Sequence, residues 1–212
     1  MSTPRFHIPV PLTLAATLNL PEAAAHHAAR VLRLRSGDAV TLFNGQGGEY
    51  AARITAIGKH DVTVAIERHD PVERESPLPV TLVQALSSGE RMDLTIQKAV
   101  ELGVSRIVPV ESERSVVRLK GERAGKRVAH WQQVVISACE QCGRNRIPEV
   151  RMISPLDVWL AAEENDAQRW VLLPGADTAL RDLPRPQKPV ELLVGPEGGL
   201  TGAEADAARR AG

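Results

Sequence analysis

The loop that follows residues 190–194 contains the residue types in this chain best suited to binding a ligand. Residues 192–194 are apolar without alternation, as in a strand covered on both faces, and Thr201 with Glu204 forms a T-x-x-E capping box that begins a helix. The loop between them consists of Gly195, Pro196, Glu197, Gly198, Gly199 and Leu200. Its three glycines let backbone N–H and C=O groups approach a ligand closely, and Glu197 adds a fixed charge. A plain strand-to-helix connection is the alternative, although a two-residue turn would suffice for it.

A second apolar run ends in a loop of the same character. Residues 169–173 predict a strand that ends at Pro174-Gly175. If this strand and residues 190–194 are neighbours in one sheet, their two backbone-rich loops face one ligand.

The pattern around these loops predicts an α/β domain. Residues 80–86 are mostly apolar, residues 92–100 carry apolar side chains at helical spacing, and residues 104–110 form another apolar run. This βαβ unit predicts a parallel sheet with helices on both faces. Ser154 followed by Pro155 predicts a further helix with Ser154 at its N-cap.

Residues 1–72 predict a separate, β-rich domain, and residues 73–212 the α/β domain. Short strands are expected at residues 5–8, 39–43, 49–54 and 61–67, with an alanine-rich helix at residues 21–32. A closed or nearly closed barrel is the economical way to bury such short strands. The proline-rich and acidic residues 70–79 predict the boundary between the two domains.

Positive charge is concentrated locally within a neutral chain. With 26 basic and 26 acidic residues among 212, any nucleic-acid surface must be a local patch. The concentrations are Arg30 with Arg33, the stretch 114–127 that begins with Arg114 and Arg118, and Arg144 with Arg146. Phosphate binding is one use of such cations, and an ordinary solvated face is the alternative.

Cys139 and Cys142 form a C-x-x-C pair that we interpret as two core cysteines. There is no second pair and no histidine cluster to complete four ligands, so we predict no metal site. In the helix predicted for residues 128–142, the apolar seam runs through Cys142, with Cys139 beside it. Two cysteines, no apolar segment near Met1 and no long apolar run predict a cytoplasmic chain without a membrane partner.

Five stretches, spread over both halves of the chain, carry a specific resemblance. They are residues 26–35 with Gly37-Asp38, residues 89–103 (GERMDLTIQKAVELG), 113–117 (ERSVV), 140–148 (EQCGRNRIP) and 194–201 (VGPEGGLT). Together they resemble the uridine-N3 methyltransferases of small-subunit ribosomal RNA, the ribosomal RNA small subunit methyltransferase E family of the SPOUT superfamily. The GPEGG run alone is shared more widely among related methyltransferases.

The resemblance implies an architecture and a reaction. The architecture is a PUA-like, RNA-binding β-barrel at residues 1–72, followed at residues 73–212 by a SPOUT α/β domain with a C-terminal trefoil knot, assembled as a homodimer. The reaction is methyl transfer from S-adenosylmethionine to N3 of a uridine in 16S ribosomal RNA of the small ribosomal subunit. The implied cofactor-binding residues are Leu172, Leu173, Pro174, Gly195, Pro196, Glu197, Gly198, Gly199 and Leu200. The clustering of positive charge predicts the RNA-binding residues, on the same side as the cofactor loops: Arg30, Arg33, Arg114, Arg118, Arg144 and Arg146.

Glu197 has two interpretations within this reaction. As a general base it would remove the weakly acidic N3 proton of the uridine, which must also be swung out of structured RNA. Alternatively, its carboxylate holds the loop by accepting backbone N–H bonds.

The sequence departs from the family's pattern at its end. The family continues past the GPEGG helix into a strand, a loop of the form LGxRxLRxETA and a last helix, whereas this sequence stops at Ala211-Gly212. The resemblance implies that this loop is the third wall of the cofactor pocket, so we expect weak S-adenosylmethionine binding by a chain that ends at Gly212. The helix after Thr201 is mostly alanine, and we expect it to bury little apolar surface.

Three other functions remain open at this point. The first is a non-catalytic RNA-binding module in which the glycine loop is scaffold, and the second is a SPOUT methyltransferase that acts on another RNA. The third, a nucleotide-phosphate site at the Thr201 helix start, is disfavoured because Glu197 would repel phosphate and no P-loop lysine is present.

Overall fold

The computed structural model of the chain describes residues 3–162 and 166–211. The chain divides into two compact units, an N-terminal unit of residues 1–75 and 139–147 and a C-terminal unit of residues 76–138 and 148–212. The N-terminal unit is therefore assembled from two separate stretches of sequence.

A five-stranded sheet forms the N-terminal unit. Its strands are β1 (Arg5–His7), β2 (Thr17–Asn19), β3 (Ala39–Phe43), β4 (Glu49–Ile57) and β5 (Val62–Asp70), in the spatial order β1-β3-β4-β5-β2. β1 and β3 are parallel, and the other neighbours are antiparallel. The four expected strands are confirmed, whereas β2 is too short to show alternation in sequence. The sequence predicts a closed or nearly closed barrel; among the described residues the outer strands β1 and β2 do not pair, and the sheet is an open half-barrel.

One face of this sheet is the core of the N-terminal unit. Val62, Val64 and Ile66 alternate along β5 and are buried, as their spacing predicts. The helix expected at residues 21–32 is present as α1 (Glu22–His26) followed by a π-helical turn (His27–Val31). Two residues beyond this turn, Arg33 has a φ of 55°, in the left-handed region.

The C-terminal unit contains the predicted parallel sheet. Its strands are β6 (Val80–Ala85), β7 (Arg106–Glu111), β8 (Glu149–Val150), β9 (Ser154–Pro155), β10 (Gln168–Leu172) and β11 (Val190–Val194), in the order β10-β11-β6-β7-β8 with β9 also on β7. All of these pairs are parallel. The helices are α2 (Gly89–Glu101), α3 (Gly121–Cys142), α4 (Leu156–Ala161) and α5 (Gly202–Arg210), with a short 3-10 turn at Leu180–Asp182. The last four residues of α3, 139–142, are counted in the N-terminal unit.

Apolar side chains from three central strands meet in the core of the C-terminal unit. Val83 of β6, Val110 of β7 and Leu193 of β11 are each almost completely buried and form one cluster with Leu156 and Ala208. The last two come from α4 and α5, so both short helices contribute to the core that holds the sheet.

The structure corrects the assignment of the two cysteines. Cys139 is fully buried, whereas Cys142, which was expected in the seam, is only half-buried. Cys139 follows the buried Val135 by one helical turn, while Cys142 is the last residue of α3. Burial raises the pKa of the Cys139 thiol to about 12, which makes this cysteine an inert core residue.

The predicted helix start at Ser154 is also wrong. Ser154 and Pro155 form β9, in which Ser154 pairs with Val110 of β7, and Pro155 occupies the N-cap of α4 without a side-chain cap bond. Because the backbone of Ser154 pairs with β7, Ser154 does not adopt the N-cap position that its local sequence favours.

Candidate functional site

The carboxyl ends of four neighbouring strands meet at one edge of the parallel sheet. In register across the sheet, Leu172 of β10 pairs with Val194 of β11, Val194 with Gln84 of β6, and Gln84 with Pro109 of β7. The expectation that the strands before Pro174 and before Gly195 are neighbours is therefore confirmed. The edge where parallel strands end is where ligands bind in open α/β sheets.

The glycine loop at this edge is folded back on itself. The N–H of Gly199 donates to the carbonyl oxygen of Pro196 at 2.8 Å, and Gly199 has a φ of 68°, in the left-handed region. A Cβ on Gly195 would lie 3.0 Å from the backbone nitrogen of Leu200 and 3.1 Å from the carbonyl carbon of Gly199. These distances are shorter than ordinary van der Waals contacts and the neighbours are backbone atoms, so the folded loop favours glycine at position 195.

Two side chains, one from strand β6 and one from the segment after β7, hold carbonyl groups of this loop. Gln84, which is 4% exposed, donates from Nε2 to the oxygen of Gly195 at 3.2 Å and to that of Ala85 at 2.9 Å. Arg114, after β7, donates from Nη1 to the oxygen of Gly198 at 2.9 Å. The loop is thus tied to both β6 and the segment that follows β7.

Glu197 is held by the start of α2. Its Oε1 accepts from the backbone N–H of Ser88 at 3.0 Å and from the Ser88 hydroxyl at 2.9 Å, while Nη1 of Arg91 lies 3.4 Å away. The N–H of Ser88, the N–H of Glu197 itself and the Ser88 hydroxyl lower the pKa of this carboxyl from 4.5 to about 2, and the charge of Arg91 adds to the effect. A carboxylate with so low a pKa is a weak base at neutral pH, so the geometry favours the loop-holding interpretation.

Helix α5 begins with the predicted capping box. The backbone N–H of Glu204 donates to Thr201, and the N–H of Thr201 donates to Glu204 Oε2 at 2.8 Å. The other oxygen, Oε1, accepts from the N–H of Glu113 at 2.7 Å and so connects α5 to the segment after β7. Ala205 and Ala208 are each 8% exposed, which corrects the expectation that this alanine-rich helix would bury little surface.

A cavity of about 480 Å³ lies beside the carboxyl end of β10. Its walls are Trp170, Val171, Leu172, Leu173, Pro174, Gly175, Ala176, Thr178, Ala179, Leu180 and Leu183. The volume falls within the usual range for small-molecule sites. Leu172, Leu173 and Pro174 therefore line a ligand-sized cavity, whereas the glycine loop is adjacent in the sheet and not part of its walls.

The arginines expected to bind RNA differ in their surroundings. Arg30 and Arg33 are exposed beside the π-helical turn, and Arg114 and Arg118 are exposed after β7. Arg146 is half-exposed and pairs with Glu73 at 2.7 Å.

Arg144 is a correction to the predicted RNA surface. It is 5% exposed, and its guanidinium forms an ion pair with Glu75. Because Arg144 is buried and its charge is already paired with Glu75, its guanidinium is not available to an RNA phosphate. Its role in this structure is to stabilise the N-terminal unit.

Sequence reasoning missed Gln84, Ser88 and Glu204 as residues that hold the loops. Ser88 stands before a helix, which predicts ordinary N-capping, and the contact it makes instead is with a residue 109 positions away. Of these three residues, only Glu204 was indicated by a sequence pattern, the capping box. That pattern predicts its contact with Thr201 but not its contact with Glu113.

The described part of the chain contains neither a metal-binding cluster nor a membrane-spanning helix. Within residues 3–162 and 166–211 no three histidine, cysteine or acidic side chains are grouped so that they could hold a metal ion. Over the same residues, the helices are too short or too polar to cross a membrane.

The sequence matches two known domain families. The RNA methyltransferase domain family matches residues 74–212, which is more than half of the chain, and the RNA methyltransferase PUA domain family matches residues 20–67. An α/β fold combined with a PUA domain, as expected from the sequence, is thereby confirmed.

Individual relatives extend this similarity to nearly the whole chain. Ribosomal RNA small subunit methyltransferase E from Buchnera aphidicola subsp. Schizaphis graminum is 33% identical over 198 residues, which are 93% of this chain and 80% of the relative. The crystal structure of ribosomal RNA small subunit methyltransferase E from Neisseria gonorrhoeae bound to S-adenosylmethionine has a TM-score of 0.93 and 43% identity, covering 99% of this chain and 86% of that one. A structure from Legionella pneumophila in complex with the same cofactor has a TM-score of 0.92 and 39% identity, covering 100% and 87%. The chain therefore belongs to the ribosomal RNA small subunit methyltransferase E family.

Proposed function

We propose that this protein transfers a methyl group from S-adenosylmethionine to N3 of a uridine in 16S ribosomal RNA. The observation that carries the proposal is the sheet edge where the cavity after β10 and the glycine loop after β11 are neighbours. Family membership supports the S-adenosylmethionine-dependent methylation of small-subunit ribosomal RNA, and the resemblance described above supports the uridine N3 atom.

The chain's own groups fit the cofactor. Adenine and ribose need hydrogen-bond donors and acceptors on a largely apolar surface, and the backbone of Leu172, Leu173 and Pro174 borders a cavity of suitable size. The loop of Gly195, Pro196, Glu197, Gly198, Gly199 and Leu200 would supply the second set of backbone groups. Gly195 supports this assignment, because a side chain there would press on the backbone of Gly199 and Leu200.

Methyl transfer mainly requires that the protein align the uridine with the methyl group of the cofactor. S-adenosylmethionine supplies an activated methyl group on a sulfonium, so the protein must orient the uridine and mask or remove its N3 proton. Glu197 is poorly suited to that removal, because its pKa of about 2 leaves it a weak base. We therefore assign Glu197 to holding the loop, and propose that the target uridine is swung out of the RNA to reach the edge of the sheet.

The exposed arginines would hold the RNA. We assign this role to Arg30, Arg33, Arg114, Arg118 and Arg146. Phosphate contacts of this kind position an RNA without reading its sequence, which suits exposed cations. We further propose RNA binding by the PUA-like domain at residues 1–72, methyl transfer by the domain at residues 73–212, a C-terminal trefoil knot, a homodimer and a cytoplasmic location, all as implied by the family.

Methyl incorporation into small ribosomal subunits that lack the modification tests the proposal. The full protein with radiolabelled S-adenosylmethionine should label 16S ribosomal RNA, and nucleoside analysis should identify N3-methyluridine. A different methylated RNA would favour a related methyltransferase with another substrate. RNA binding without any calorimetric signal for S-adenosylmethionine would favour the non-catalytic module.

A further inference from the structure

A single carboxylate oxygen joins the glycine loop to the first turn of α2. Oε1 of Glu197 accepts both the N–H and the hydroxyl of Ser88, and the guanidinium of Arg91 approaches the same oxygen. The loop and the helix that meet here follow two neighbouring strands, β11 and β6. Their relative position therefore depends on side-chain contacts as well as on the sheet.

The conformation of Ser88 indicates that its hydroxyl serves the loop and not the helix. Ser88 is the N-cap of α2, with φ −59° and ψ 153°, yet it makes no side-chain cap bond. A serine in this place ordinarily accepts a hydrogen bond from the second or third N–H of its helix. Here the hydroxyl donates to Glu197 instead.

We propose that Ser88 is a positioning residue for the cofactor loop, and that it acts by holding the Glu197 carboxylate against the start of α2. Arg91 adds an electrostatic hold on the same carboxylate. The inference rests on the proposed function, because it assumes that this loop binds S-adenosylmethionine.

The other contacts of the loop make this hold effective. Gln84 fixes the carbonyl of Gly195, Arg114 fixes that of Gly198, and Ser88 fixes the side chain between them. A loop that is held at three points loses less freedom when a ligand binds, and pre-organisation of this kind increases affinity. Loss of the Ser88 contact should therefore appear in cofactor binding more than in the methyl-transfer step.

Calorimetry with S-adenosylmethionine on the full protein measures this effect. Ser88→Ala removes one donor and should weaken binding about threefold, while Ser88→Pro removes both donors at a φ that proline accepts and should weaken it about tenfold or more. Glu197→Ala should also cost about tenfold, and Glu197→Gln less, because its amide oxygen still accepts hydrogen bonds. Thermal unfolding of each variant confirms that it is folded.

Matched controls come from the same unit. Ser105→Ala removes a hydroxyl-to-carbonyl bond of 3.0 Å to Val80, at the opposite edge of the sheet, and Glu101→Gln neutralises a surface carboxylate paired with Lys98. Both should bind the cofactor like the unaltered protein. Because Ser88 acts through Glu197, the double variant Ser88→Ala with Glu197→Ala should bind no more weakly than Glu197→Ala alone.

Single-turnover methylation at saturating cofactor separates positioning from proton transfer. A Glu197→Gln variant that binds S-adenosylmethionine well but reacts more than about a hundredfold more slowly would identify Glu197 as the base and overturn the proposal. Normal binding by both Ser88 variants, or additive losses in the double variant, would overturn it as well. If the unaltered protein neither binds the cofactor nor methylates RNA, the proposed function itself fails and this inference falls with it.

Discussion

Arg144 and Glu75, which are 69 residues apart in the chain, form a partly buried ion pair that includes a hydrogen bond of 3.0 Å from Nε to Oε1. The two side chains are 7% and 17% exposed. Two residues further on, Arg146 pairs with Glu73 at the surface, with side chains 54% and 41% exposed. The two arginines thus have different roles. Arg144 stabilises the fold, whereas Arg146 is accessible to solvent and to a ligand.

Removal of the buried arginine should destabilise the protein far more than removal of the exposed one. Arg144→Ala deprives the partly buried Glu75 carboxylate of its guanidinium and should cost about 3 kcal/mol, whereas Arg146→Ala should cost less than about 1 kcal/mol. Urea unfolding of the full protein, followed through the transition of the N-terminal unit, measures both values. Equal losses would contradict the distinction between the two arginines.

Acid should weaken the N-terminal unit through Glu49. Burial alone would raise the pKa of this carboxyl, but hydrogen bonds and charges from Arg74 and Arg5 outweigh it and lower the pKa from 4.5 to about 2. Because the folded pKa lies below the unfolded one, this contribution is complete above about pH 5 and is lost as the pH falls towards 2.

The comparison variant is Glu49→Gln, which cannot titrate at this position. The free energy of unfolding, measured with urea, should therefore fall more steeply between about pH 5 and 2 for the unaltered protein than for the variant. The difference in slope should correspond to the uptake of close to one proton on unfolding. Parallel curves for the two proteins would show that Glu49 does not couple folding to pH.

RNA affinity should depend on the exposed arginines and on salt. Reversing Arg30 and Arg33 to glutamate should weaken binding of a small-subunit RNA fragment and reduce the slope of log K against log salt by about 0.7 to 0.9 per lost phosphate contact. Lys98→Glu is the control, because Lys98 is already paired with Glu101 at the end of α2. An unchanged salt slope in the double reversal would remove these two residues from the RNA surface.

Glycine should be required at position 195 and dispensable at position 202. Gly195→Val places a branched side chain against the backbone of Leu200 and Gly199, so S-adenosylmethionine binding should fall by about tenfold or more. A Cβ on Gly202 meets nothing within 4 Å, and Gly202→Ala in the first turn of α5 should leave stability equal or slightly higher. Calorimetry and thermal unfolding of both variants test this contrast, and tight binding by Gly195→Val would refute the required fold of the loop.

Local patterns in the sequence predicted the parts of the site that depend on neighbouring residues. β3 and β11 have the expected ends because turn residues bound them, and the Thr201 capping box forms as its spacing predicts. Contacts across long separations were not predictable, such as that between Ser88 and Glu197. Ser154 shows the converse, since its good local capping signal is overridden by pairing with Val110.

The return of residues 139–147 to the N-terminal unit affects the order of events on the ribosome. Arg5 donates to the side chain of Asn145 at 2.6 Å, although 140 residues separate them. At roughly 5–20 residues per second, the nascent strands β1 to β5 must wait on the order of seconds after Glu75 is made before Arg144 and Asn145 emerge. Residues 76–138 are synthesised in that interval, so the first unit to begin folding can form its partly buried ion pair only after the α/β sheet has begun to appear.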